Sequence, residues 1–455
     1  MIEVRIDGQP MDMARDSTWE QEIYNPLLQL DGLVVSKGLG ISLANTAYNN
    51  KILNWPGKVH GKPNKRMYAC DVLMKGNLID SGYAYIRNAA NELVLDYTGN
   101  AGGFFGAWQN MKLSEVDLGT VSMPSTLAGW NATRTHTHSS GGYVLPTVGN
   151  TAYYKVVPGS WDNKMNGYVA GSYVANTPKV PMFYVKHILN KIALLAGVNI
   201  VGDYWTNELN DIVLFNTKEA TDGTNEVRQY MPDVTVVELL MAIRKLSNMV
   251  ILIGAGTKTM RLSDGAMLMA GSVKVDWSSR MGKVSGTPKV SDGLVLSTVA
   301  DSTDGLRTDG FYKAYPAPDM GEPVVTKIES AASGLMINAG IPTCQVQGRT
   351  AEQPDGKWGL KLINWNGGNA SNVMGGKVMN ATGMMPNWLG IDRWLRDSYY
   401  VETVAALTAI DVAWASDCMR GLRDEAAVVH VHGANYVLSK LIIGNDKVLV
   451  GMYRL

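Results

Sequence analysis

Residues 67–99 read MYACDVLMKGNLIDSGYAYIRNAANELVLDYTG. Apolar and polar positions alternate in three runs, broken at Lys75-Gly76-Asn77 and around Asn88–Asn91. A period of two sets one face of an extended chain against a core, and Gly/Asn-rich breaks are turn chemistry. The stretch therefore predicts three antiparallel strands, and a meander of this spacing suggests a small barrel or sandwich. The pattern extends in both directions. Ile2, Val4 and Ile6 alternate with Glu3, Arg5 and Asp7 before an Asp7-Gly8 turn, without the basic-then-apolar order of a signal peptide. LLQLDGLVVSKGLGISL (27–43) has apolar runs cut at Asp31-Gly32 and Lys37-Gly38. At the far end, AAVVHVHGANYVLSKLIIGNDKVLVGMYRL (426–455) predicts three more strands, with turns at Gly433-Ala434-Asn435 and Gly444-Asn445-Asp446.

Helical spacing enters in the middle. After Pro181, the residues Phe183, Val185, Ile188, Leu189, Ile192 and Leu195 form an apolar stripe, with Gly197 as a C-terminal cap. Thr235-Val-Val-Glu238 is a capping box, and Leu239, Leu240, Ile243 and Leu246 continue the apolar face, leaving Arg244 and Lys245 outward. MVILIG and KTMRL follow as a hairpin across a Gly-Ala-Gly turn. Residues 181–262 thus read helix, strand, loop, helix, hairpin. A short helix is expected around Trp108–Leu113, and strands at VKVDW (273–277) and VVTKIE (324–329). The fold class is α+β, mainly β. Five segments are expected: 1–120, barrel-like; 121–180, a polar loop-rich insertion; 181–270, the α+β module; 271–396, mixed and β-rich; and 397–455, strands closing a barrel.

Composition narrows the function. Lys+Arg and Asp+Glu are 41 each, so the formal charge is zero, and charged residues are 18% of 455, below the ~25% of average domains. No excess positive charge exists to neutralise phosphates, which argues against non-specific nucleic-acid binding. The 46% apolar content argues against disorder, and no apolar run is long enough for a transmembrane helix. Cys70, Cys344 and Cys418 are odd in number and far apart, which disfavours a disulfide framework or zinc ribbon.

The chemical motifs are weak. Gly102-Gly-Phe-Phe-Gly106 lacks the helix and acidic partner of a dinucleotide fingerprint. Gly375-Gly376-Lys377 has Ser371 and Val378 where a phosphate loop needs Gly and Ser/Thr. His136/His138 and His430/His432 are spaced i, i+2, which on a strand puts both imidazoles on one face and could hold a metal, but neither pair has a third ligand at a convincing spacing. The bland readings are a polar loop for the first pair and the polar face of a half-buried strand for the second. Cys70 reads as a small core residue, and Cys418 has Asp417 and Arg420 near it but no histidine. DSTDGLRTDG (301–310) reads as a solvated turn before a calcium loop. Trp358, Trp365, Trp388 and Trp394 suit a core or subunit interface better than a sugar platform. No catalytic, cofactor or metal residue is assigned, and no enzyme activity is expected.

ISLANTAYNNKILNWP (41–56) resembles a segment found near the start of a family of phage and prophage tail proteins, through Thr46, Asn49, Asn50, Lys51, Ile52 and Leu53. FYVKHILNKIALLAGVNIVGDYWTNELNDIVLFNT (183–217), MPDVTVVELLMAIRKLSNMVILI (231–253) and NYVLSKL (435–441) resemble that family's later segments in order and spacing. Such proteins are similar to baseplate hub, or tail-tip, proteins. The resemblance implies two β-barrel-like domains with α+β insertions, assembled as a homotrimer that joins the tail tube to the distal spike or fibre and lines a channel. It implies a virion structural protein at the distal end of the tail, made in the host cytoplasm, acting in virion assembly, host attachment and genome ejection. DNA would meet it only in passing, and no stable membrane association or cofactor is implied. The alternative is a carbohydrate-binding or carbohydrate-degrading tail component. A hub-fused peptidoglycan hydrolase lacks the necessary zinc or Cys/His spacing.

Overall fold

A computed structural model describes residues 2–15, 17, 19–29, 36–58, 61, 67–89, 92–99, 108, 110–149, 164–204, 209–253, 259–265, 275–288, 293–298, 325–330, 333–335, 358–365, 399–421, 423, 427–445 and 447–455. The fold is α+β and mainly β, as the alternation predicts. Thirteen strands form its largest sheet: β1 (Ile2–Ile6), β2 (Gln9–Pro10), β3 (Glu20–Tyr24), β4 (Lys37–Leu43), β5 (Tyr68–Met74), β6 (Asn77–Asn88), β7 (Leu93–Gly99), β8 (Val275–Asp276), β9 (Ser285–Pro288), β10 (Tyr399–Ala405), β11 (Val428–Val431), β12 (Ala434–Ile443) and β13 (Val448–Arg454). The order is β2-β1-β5-β6-β7-β4-β3-β12-β13-β10-β9, and the sheet curls into a half-barrel. The two ends of the chain meet where β3 pairs antiparallel with β12, Lys440 opposite Tyr24 and Ile443 opposite Gln21.

The meander is β5, β6 and β7. Tyr68, Cys70 and Val72 face the core, as period two requires. The first turn places Lys75 and Gly76 at positive φ (47° and 83°), the geometry of a tight hairpin. β12 is branched. Its first residues pair with β11 and its last with β3, and its register against β13 slips between Leu438 and Lys440. Asn25 holds the branch: its side-chain amide donates to Leu438 O (2.7 Å) and its backbone N–H to Ser439 O (2.8 Å).

Five helices of six residues or more are described: α1 (Ala47–Ile52), α2 (Leu127–Ala132), α3 (Val185–Leu195), α4 (Val236–Ser247) and α5 (Ala409–Met419). α5 is a helix within a segment the alternation reads as strand-rich. Val412, Ala415, Cys418 and Met419 are buried, and the helix packs against β6, β3 and β12 inside the curled sheet. Its capping box, Thr408 with Asp411, was its legible signal.

A second core belongs to the middle of the chain. α3 contributes Ile188, Leu189 and Ile192, and α4 contributes Leu239, Leu240 and Ile243. The predicted helix–strand–helix–hairpin order holds. Asn199–Val201 pairs parallel with Thr259–Asp264, which is antiparallel to Met249–Ile253. The Thr235–Glu238 capping box is formed at 2.7 and 3.1 Å. Arg244 departs from expectation. It is buried and donates to Pro26 O, because α4 packs toward the main sheet, where Leu27 also meets Val250 and Leu252. Trp108 is helical, but residues 110–116 run as turns and a bend with Lys112 bridged to Thr235, so the helix expected around Trp108–Leu113 does not reach Leu113. In the polar stretch after 130, the described residues 131–149 and 164–180 carry two-residue strands around buried Tyr143, Tyr168 and Tyr173.

Candidate functional site

The densest arrangement of charge lies at the joint between the chain's two ends. Asp80 lies opposite Val72, on the core face that Gly82 and Ala84 continue opposite Cys70 and Tyr68, so period two carries it inside, and the register slip between Val72 and Leu73 buries Ile79 beside it. Arg420, at the end of α5, donates from Nη1 to Asp80 Oδ1 and from Nη2 to Asp417 Oδ1, each at 2.9 Å, and also to Ile79 O. Gln21 of β3 donates to Asp80 Oδ2 at 2.6 Å, and the Ser81 N–H to Oδ1 at 3.0 Å. Burial pushes the Asp80 carboxyl up, and the Arg420 guanidinium opposes that. The Tyr97 phenol beside it is pushed well above its ordinary value, by burial first and by Asp80 second. The network ties β3, β6 and α5 together. Such a buried pair is weak evidence of stability by itself, but losing one partner strands a buried charge.

The other face of the same joint is bridged as well. Lys440 of β12, Gly451 of β13 and Glu402 of β10 are in register across three strands. Lys440 Nζ passes over the middle strand to Glu402 Oε1 at 2.8 Å. A Cβ at Gly451 would lie 2.3 Å from Tyr400 Oη and 2.9 Å from Lys440 Cγ, so the missing side chain is what lets the bridge form. Tyr400 stacks against Tyr453 at 5.0 Å, and Tyr24 donates to Glu22 at 2.8 Å, with Lys37 at 3.4 Å from Glu22.

The residues of the 41–56 segment form a third tie. Asn49 is fully buried. Its side chain accepts from Asp12 N (3.0 Å) and donates to Asp12 O (2.8 Å) and Ala44 O (2.7 Å). Thr46 caps α1 through the Asn49 N–H and donates to Asp12 Oδ2, and Asn50 donates to Asn45 Oδ1 and Thr46 O. This clasp fixes the 11–14 crossing to the end of β4.

The motif residues fall as follows. His430 lies on β11 and contacts Asn435 Oδ1 at 2.9 Å, but His432 sits in the turn at φ 47°. The turn is therefore His432-Gly433, one residue ahead of its expected place, and the two imidazoles do not share a strand face. His136 and His138 lie in a loop, with His187 of α3 beside them. Among the described residues, no three His, Cys, Asp or Glu side chains converge as a metal site. Cys70 and Cys418 are buried free thiols, and burial raises that of Cys70. Trp358 and Trp365 are core residues, Trp358 donating to Phe215 O at 3.0 Å. Trp388, Trp394, Cys344, Asp31-Gly32, 102–106, 301–310 and 375–377 lie outside the described residues. No helix among the described residues is long and apolar enough to cross a membrane. Sequence reasoning passed over Asp80, Gln21 and Gly451, whose importance depends on cross-strand register and on partners distant in the chain.

Comparison with known protein families and with curated proteins gives no match. Among solved structures, the chain is similar to the 43 kDa tail protein of prophage MuSo2 from Shewanella oneidensis. The TM-score is 0.40 and the identity 10%, over 100% of this chain and 97% of that one. A likeness this distant carries no functional weight.

Proposed function

We propose that this chain is a structural component of a phage tail, of the baseplate hub or tail-tip kind. In this reading it assembles as a homotrimer, joins the tail tube to the distal spike or fibre, and catalyses no reaction. The observation that carries the reading is where the family-like segments sit. Thr46, Asn49 and Asn50, which carry the resemblance, are the polar clasp at the end of β4, and NYVLSKL is the strand that joins the C-terminal part of the sheet to β3. Extensive polar networks bind the chain's ends into one sheet, which suits a part that bears load. Sedimentation velocity and native mass spectrometry of the purified chain test the assembly, with three times 49.4 kDa expected. Cryo-electron microscopy of the particle tests the place, with threefold density beneath the tube expected. A concentration-independent monomer absent from particles overturns the reading.

A further inference from the structure

We propose that residues 136–142 form an acid-released cover over the first turn of α3, held shut while His136, His138 and His187 are neutral and lifted when they take up protons. The loop is tied to the helix at few points, and the histidines sit at them. His187 Nδ1 meets His138 O at 3.0 Å, Tyr184 Oη donates to His136 O at 3.0 Å, and the Tyr184 N–H donates to Gly142 O at 3.0 Å. His136 stands edge-on to Tyr143 at 4.9 Å, and His138 edge-on to Tyr184 at 6.4 Å. Gly142, at φ 77°, lies flat against His187: a Cβ there would be 2.5 Å from the ring. Gly141, at φ 79°, lies as close to His136, where a Cβ would be 2.3 Å from the ring.

The surroundings disfavour added protons. All three histidines are held below their ordinary value, burial being the first cause in each. Lys186 works against charge on His138, and Lys191 and His138 against charge on His187. Asp211 favours charge on His138, the Tyr143 backbone favours it on His136, and the His138 carbonyl favours it on His187, in each case outweighed by burial. The phenols of Tyr143 and Tyr184 stay protonated throughout, both raised by burial. α3 begins at Tyr184 without a side-chain cap and has no acidic residue in its first turn, so its dipole also opposes a cation at His187. A base held low in the folded state contributes stability above its ordinary value, near 6.5, and that contribution is lost as pH falls. Because the three groups face one loop, the loss falls on the loop and not on the sheet.

Hydrogen exchange on the full chain, corrected for intrinsic rates, tests this between about pH 7.5 and about pH 5.5. Protection of the Gly142 and Tyr184 amides should fall by about tenfold or more at the lower pH, while amides of β5, β6 and β7 hold. The triple variant His136→Gln, His138→Gln, His187→Gln should show no such loss. Unchanged protection in the wild type, or an equal loss in the triple variant, overturns the proposal. If the triple variant does not fold, NMR titration of the wild-type imidazole protons decides. Three midpoints below those of free histidine support the cover, and any of the three at or above that value overturns it.

Discussion

Arg420 is the residue whose removal most sharply tests the joint. Its side chain is 8% exposed and that of Asp80 is 2%. Arg420→Met keeps much of the packing stem and deletes the three donations to Asp80, Asp417 and Ile79. Asp80 then keeps Gln21, the Ser81 N–H and the neighbouring Tyr97 and Ser36 hydroxyls, neutral donors against a full buried charge. Breaking a buried pair from one side costs about 3–5 kcal/mol, and the remaining donors favour the lower part of that range. Urea unfolding should show a loss of about 3 kcal/mol near neutral pH. The cost should also depend on pH. Burial already raises the Asp80 carboxyl, and without the guanidinium it rises further. A carboxyl raised in the folded state weakens the fold as pH climbs through its folded value, so the deficit of the variant should shrink as pH falls from neutral and Asp80 takes up a proton. Asp80→Asn in the Arg420→Met background should recover most of the loss, since Asn can still accept from Gln21. A deficit below about 1 kcal/mol that is flat with pH, or a double variant no better than the single, refutes the argument that Asp80 is a charge held by Arg420.

Three further outcomes are expected. Gly451→Val should cost about 1–3 kcal/mol in thermal or urea unfolding, as overpacking against Tyr400 and Lys440, whereas Lys440→Met alone should cost under about 1 kcal/mol because that bridge is half-exposed. Asn49→Ala should cost about 1–3 kcal/mol, since it strands the Asp12 N–H and takes one donor each from Asp12 O and Ala44 O, which keep the Ala44 and Thr46 N–H groups, and exchange at the Asp12 amide should rise with it. The Tyr24 phenol is pushed up to about 12, by burial and then by Glu22. NMR titration should find it ionising well after ordinary tyrosines, and stability drawn from it should be lost as pH rises from about 10 through about 12, with Glu22→Gln lowering the midpoint.

Much of this fold is written locally. The alternation at 2–6 and 67–99, the Lys75-Gly76 turn, the three closing strands and the Thr235–Glu238 box are each decided by residues within a few positions of one another, which is why period and capping rules reach them. α5 was legible through Thr408 and Asp411 but hidden by its composition: apolar residues lie on more than one side of it, so no stripe marks it, and only the structure shows that Val412, Ala415, Cys418 and Met419 reach the core while Ile410 stays exposed. Arg244 sits on what a helical wheel draws as the polar face, and only the approach of Pro26 from 218 residues away buries it.

What the sequence by itself determined is therefore the class, the strand and helix order, and the segments that resemble a tail protein. The tertiary structure alone decided that the first and last strands share one sheet, that Asp80 on the core face meets Arg420 from 340 residues away, and that a glycine on the strand between them lets Lys440 reach Glu402. Propensity and periodicity act over a turn or a strand. The register of strands hundreds of residues apart is set by the summed fit of a whole core, and no short window of sequence contains that sum.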